Sequence, residues 1–146
     1  MKLQWETDYA LRCVLCLALK QNERVRAVEL AKLVKIPEQM ARKILTRLCD
    51  AGILDGKTGP KGGLRLALPV ERISVYDVVC CIEGRLCINR CLGPEGACTC
   101  SGVPACGIYR YLENLQEQIE RSMRAMTFDR ILAQNEAMVM PAGGLL

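Results

Sequence analysis

Between residues 7 and 20 the chain reads TDYALRCVLCLALK, apolar at nearly every position after Asp8 except Arg12. This pattern predicts a core helix with Thr7 or Asp8 near its N-cap. VRAVELAKLVKI predicts a second, short helix that offers Val28, Leu30, Ala31 and Leu33 or Val34 to one face. A third helix is predicted in PEQMARKILTRLCDAG. Pro37 suits its first turn, Met40, Ala41, Ile44, Leu45 and Leu48 follow 3/4 spacing, and Gly52 supplies the stop. Its other face carries Glu38, Gln39, Arg42, Lys43, Thr46 and Arg47.

Two helices joined by the tight KIP turn, the second presenting amide and guanidinium groups outward, have the organisation of a helix-turn-helix. ILDGKTGPKGGLRLAL follows at once, and its two apolar runs around a Gly/Pro/Lys tip predict a β-hairpin wing. The expected fold class is therefore mainly α with a small β wing, a winged helix-turn-helix. SVYDVVCCIEG predicts a fourth helix, with Ser74 and Asp77 as a capping box and Gly84 as its end. After a Gly/Pro-rich segment, GIYRYLENLQEQIERSMRAM places Ile108, Leu112, Leu115, Ile119, Met123 and Met126 on one stripe. A long amphipathic helix of this kind is expected to pair with a copy of itself. TFDRILAQ predicts a last short helix. The expected organisation is a DNA-binding region over 1–70, a connecting helix and cysteine loop over 71–106, a dimerisation helix with a terminal helix over 107–137, and a flexible tail over 138–146.

Charge adds a direction to this layout. Residues 1–68 hold 13 Lys/Arg against 7 Asp/Glu, or +6, and residues 69–146 hold 7 against 9, or −2, for the net +4 of the chain. The N-terminal half is the one suited to face a polyanion. No secretory signal is apparent at the N-terminus and the first apolar stretch is too short to span a bilayer, so a cytoplasmic location and reduced thiols are expected.

Four cysteines, Cys91, Cys98, Cys100 and Cys106, crowd RCLGPEGACTCSGVPACG, while the 146 residues include no histidine. Closely spaced thiols in a bendable loop point to a soft metal centre, above all an iron-sulfur cluster of the 4Fe-4S or 2Fe-2S type. The missing histidine excludes Cys/His zinc fingers and His-assisted cysteine nucleophiles. A four-thiolate zinc site is disfavoured by the spacing C-x6-C-x-C-x5-C, which lacks the paired knuckles zinc prefers. A metal-free thiol-disulfide switch and a small iron-sulfur electron carrier would draw on the same residues. Cys13, Cys16, Cys49, Cys80 and Cys81 fall within helical patterns and read as packing, and Cys87 is a spare thiol near the loop. No nucleotide-binding glycine motif or acid/base constellation is legible, and no enzyme is expected.

MKLQWETDYALR, IPEQMARKILTRLCDAGIL, GPKGGLRLALP, ISVYDVVCCIEG, PACGIYRYL and MTFDRIL, taken together and in this order, resemble the Rrf2 family of bacterial winged-helix regulators, in particular its iron-sulfur sensors. The resemblance runs from Met1 to about Leu132. It implies a homodimer on palindromic double-stranded operator DNA and a cluster held by three loop cysteines. The fourth ligand is implied to be either a histidine, which this chain lacks, or an aspartate in the position of Asp8, reaching over from the partner subunit. The family's C-x5-C-x5-C spacing is not kept, so either Cys98 or Cys100 is the middle ligand, or all four loop thiols bind and Asp8 does not.

On this reading the recognition helix near residues 38–47 enters the major groove. Gln39 and Arg42 are suited to base edges, Lys43 and Arg47 to phosphates, and Lys57 and Lys61 in the wing to the backbone or minor groove. Where the family often has arginine before the wing Gly-Pro, this chain has Thr58.

Overall fold

The computed structural model describes residues 2–21, 23–94 and 106–137. Cys98, Cys100 and the tail 138–146 lie outside the described residues. In chain order the elements are α1 (Trp5–Leu19), α2 (Ala27–Val34), α3 (Glu38–Asp50), β1 (Leu54–Lys57), β2 (Gly63–Leu66), α4 (Val75–Glu83), α5 (Gly107–Ala125) and α6 (Phe128–Ala137). Short 3-10 turns occupy Val70–Arg72 and Arg90–Leu92. Helices with a two-stranded antiparallel sheet make the winged helix-turn-helix expected from the pattern.

α1 starts earlier than its apolar run suggests. Its N-cap is Gln4, and neither Thr7 nor Asp8 caps it. The acceptor for this helix end comes from α4: Glu83 Oε1 takes the Gln4 amide at 2.8 Å and the Thr7 hydroxyl at 2.5 Å. A carboxylate at a helix N-terminus satisfies an orphan donor and complements the helix dipole, so Thr7 is free to be fully buried.

The helix-turn-helix closes through Lys35, whose left-handed backbone (φ 58°) ends α2, and Ile36 donates its amide back to the Ala31 carbonyl at 3.0 Å. α2 buries Leu30, Ala31 and Val34, whereas Val28 and Leu33 face outward. α3 buries Ala41, Ile44, Leu45 and Leu48, as their spacing requires, and Pro37 stands just outside it as N-cap. At its end Gly52 takes a φ of 72°, which favours glycine.

The wing pairs Leu54 with Leu66 and Lys57 with Gly63, and Val25 bridges to Leu64 beyond the outer strand. Two glycines are required at its tip. A Cβ on Gly62 would lie 2.3 Å from the Lys57 carbonyl oxygen, and Gly63 combines a φ of 138° with the Val25 backbone 3.0 Å away.

The predicted capping box of α4 is formed. Asp77 donates its amide to the Ser74 hydroxyl oxygen at 3.3 Å, and its carboxylate accepts the Ser74 amide at 2.8 Å. α5 lies along α4, with the Arg124 guanidinium 3.6 Å above the Tyr76 ring and the Tyr76 hydroxyl donating to Glu120 at 3.3 Å. Leu112, Leu115, Ile119, Met123 and Met126 of its stripe are half-buried, while Ile108 and the neighbouring Tyr111 are 70% and 68% exposed. α6 returns the chain to the first helix. A bridge between Ser74 and Thr127 leads into it, and Phe128 joins α1, α2, α3 and Ile73 in one core. No helix among the described residues is long and apolar enough to cross a membrane.

Candidate nucleic-acid interface and cysteine loop

The outward face of α3 carries Gln39, Arg42, Lys43 and Thr46, all exposed, because the apolar 3/4 pattern turns its opposite side into the core. Arg42 is folded onto the first turn of its own helix: Nε and Nη2 both donate to Glu38 Oε1, at 3.1 and 2.6 Å. Lys43 Nζ donates to Glu6 of α1 at 2.9 Å but remains 61% exposed. In the wing, Lys57, Thr58 and Lys61 are exposed.

Between α3 and the wing runs an open cleft of about 520 Å³ lined by Arg42, Lys57 and Thr58, and also by Arg26. Arg26 is a basic residue that the pattern along the chain did not single out. It is the N-cap of α2, and its guanidinium donates to the Pro60 carbonyl at the wing tip at 3.1 Å. A basic side chain in the first turn of the predicted second helix, next to the helix-turn-helix, was the available signal. Behind it, Arg24 pins the wing, donating to the Asp55 carboxylate at 2.5 Å and to the Gly63 carbonyl at 3.0 Å.

Arg47, expected to hold a phosphate, lies against the end of α4 in this DNA-free chain. Its Nη2 donates to the carbonyls of Cys81 (3.0 Å) and Ile82 (2.6 Å) at the end of α4, and Nη1 lies 3.6 Å from Glu6. An arginine one turn beyond Lys43 is carried round toward α4, where helix-terminal carbonyls need donors. The side chain is 38% exposed and its donors are directed into the protein.

The cysteine loop leaves α4 at Gly84, whose φ of 81° ends the helix. Cys87 is exposed, its Sγ donating to the Asn89 carbonyl at 2.8 Å. Cys91 stands in the 3-10 turn that packs against α5. Cys106 is the N-cap of α5, its sulfur accepting the Tyr109 amide at 3.4 Å. The outer two cysteines of the loop, fifteen positions apart in sequence, are thus both tied to α5, one through its turn and one as the helix cap. Buried Gln116 fastens the loop by accepting the Ile88 amide at 3.3 Å.

Asp8 lies in the first turns of α1, 43% exposed, with its carboxylate 2.6 Å from the Arg12 guanidinium. Among the described residues of this single chain, no three Cys, Asp or Glu side chains converge on one point. The donor set suits a soft metal: partly exposed thiols at a loop that starts and ends on helices, with no imidazole in the chain. Cys13 and Cys16 are buried in the core, and Cys49, Cys80 and Cys81 are half-buried within α3 and α4. Burial raises the thiols of Cys13, Cys16, Cys49 and Cys81, Cys13 to about 12, as expected of packing residues.

Comparison with known proteins gives the same architecture. The chain is 32% identical over 135 residues to the HTH-type transcriptional repressor NsrR of Streptomyces coelicolor, spanning 91% of this chain and 89% of the relative. Its fold matches solved structures of T. potens IscR (TM-score 0.76, 20% identity, 98% of this chain and 94% of that one) and of CymR, the global cysteine regulator of B. subtilis (TM-score 0.73, 16% identity, 92% and 98%). The profile of the Rrf2 family, described as iron-dependent transcriptional regulators, matches residues 3–134. The chain therefore belongs to the Rrf2 family, and it is a winged-helix transcriptional regulator and not an enzyme.

Proposed function

We propose that this chain is a homodimeric, cytoplasmic regulator whose grip on a palindromic operator is set by an iron-sulfur cluster held at the cysteine loop. The observation that carries this reading is that the turn bearing Cys91 packs against α5, the same helix that Cys106 caps. Cys98 or Cys100 supplies the middle thiolate, and Asp8 of the partner subunit or the fourth loop thiol completes the set. When bound, such a cluster supplies a centre sensitive to oxidants, nitric oxide and iron supply. Asp8 can take part at small cost, since its pairing with Arg12 is a half-exposed i,i+4 ion pair of about 0.3–0.5 kcal/mol. The exposed start of α5, Ile108 and Tyr111, offers the apolar surface for a second copy.

On DNA, Gln39 and Arg42 read base edges, while Lys43, Lys57, Lys61 and the newly found Arg26 neutralise phosphates. Arg42 must first leave Glu38, an exposed pair whose loss costs less than a bidentate guanine contact returns.

Exposed Cys87 favours a second reading, a metal-free switch in which two loop thiols give up two electrons and two protons to an oxidant and form a disulfide. Anaerobic purification with iron and acid-labile sulfide analysis and a visible spectrum, on wild type and Asp8→Ala, separates the two. Stoichiometric iron and sulfide with charge-transfer absorption, altered in Asp8→Ala, is the expected result. A colourless protein that also resists reconstitution would move the assignment to the thiol switch.

A further inference from the structure

The recognition helix α3 meets α1 and α4 on one side, and each of the three is tied to the next by a charged side chain. α4 is tied to α1 by Glu83, which accepts the Gln4 amide and the Thr7 hydroxyl. α3 is tied to α4 by Arg47, whose guanidinium donates to the Cys81 and Ile82 carbonyls and whose own carbonyl accepts the Cys81 thiol at 3.4 Å. α1 is tied to α3 by Glu6, which takes Lys43 at 2.9 Å and faces Arg47 at 3.6 Å. The triangle sits where the chain leaves α4 for the cysteine loop, and its α1 corner is two residues from Asp8.

We propose that Arg47 is a positioning residue that couples the cysteine loop to the setting of the recognition helix, and that it does not contact DNA. The inference rests on the reading of the loop as the sensor. A shift of Gly84 or of the first turn of α1 pulls on carbonyls and a carboxylate held by one guanidinium, and α3 moves with it as a rigid rod. Lys43 stands one turn from Arg47 and Gln39 two turns, so a tilt at the brace reaches the groove-facing end of the helix. Arginine suits the role because its planar fork holds two carbonyls and still faces a carboxylate, which an ammonium point charge does less well.

The test compares wild type, Arg47→Met and Glu6→Gln in cluster-loaded and cluster-free forms. Operator affinity is measured by fluorescence anisotropy across a range of salt, with iron content, visible spectrum and thermal melt recorded for each form. Wild-type loaded and cluster-free protein should differ by a factor in the range of about 5–150. In Arg47→Met the two affinities should converge to within about twofold, with iron content, spectrum and salt slope as in wild type. Glu6→Gln, which leaves the carbonyl bonds in place, should narrow the ratio partway and carries the test if Arg47→Met fails to fold. A salt slope reduced by about 0.9 in Arg47→Met would identify a phosphate contact and overturn the proposal. An unchanged loaded-to-free ratio in both variants would overturn it as well. Equal affinities of the two wild-type forms would instead sink the sensor reading, and this inference with it.

Discussion

Arg42 and Arg47 leave the same helix five positions apart, and their surroundings give them different partners. Arg42 ends among exposed groups beside the wing cleft, and Arg47 ends on the carbonyls of another helix. Five positions set them about 140° apart round the helix, but neither identity nor phase names the partner each side chain meets. What separates them is α4, which arrives some thirty-five residues later in the chain. The cysteines divide in a similar way. Burial, with Cys16 adding to it, pushes the Cys13 thiol up to about 12, while Cys87 stands in the open loop. Brief alkylation of reduced, metal-free protein at mildly alkaline pH should therefore modify Cys87 and spare Cys13 until denaturant is added, as read by peptide mass spectrometry. Labelling of native Cys13 as fast as Cys87 would contradict the packing of α1.

At the scale of elements, the parts legible in the sequence are those whose causes are local. The Ser74–Asp77 box, the turn before Pro37, the Gly52 stop and the glycine-bearing wing each depend on residues within a few positions of one another. The start of α1 is not legible in its own stretch because Glu83, the acceptor for its first turn, lies 76 positions beyond Thr7. The wing depends on one further distant partner. Arg24 and Arg65 both donate to the Asp55 carboxylate, at 2.5 and 3.1 Å, and these bonds hold its carboxyl below the ordinary value of 3.8. The fold thus prefers the ionised form. That preference contributes fully above the ordinary value and is lost as pH falls through the lower, folded one. Asp55→Asn should melt below wild type near neutral pH, with the gap closing in acid beneath 3.8, a difference readable by circular dichroism. A gap that persists unchanged in strong acid would show that the pair does not act through charge.

For the whole molecule, the basic N-terminal half and the cysteine-bearing half were visible as separate patterns, but their junction was not. Glu6, Lys43 with Arg47, and Glu83 are scattered over three stretches of sequence, and only the packing of α1, α3 and α4 assembles them. The same holds for Phe128, which reads as the start of a minor terminal helix yet is the largest of the fully buried side chains. Replacing it with Ala should cost about 3–5 kcal/mol, much of the stability of a domain this size, and should lower the urea midpoint of the whole fold. Loss confined to α6, with the winged helix melting as before, would refute its place in the common core. Phe128 also sets an order of events during synthesis. The helix-turn-helix and wing leave the ribosome first, yet their core lacks its largest side chain until residue 128 has followed. By then every cysteine of the chain has been made, so the core beneath the helix-turn-helix is completed in a chain that already carries all of its thiols.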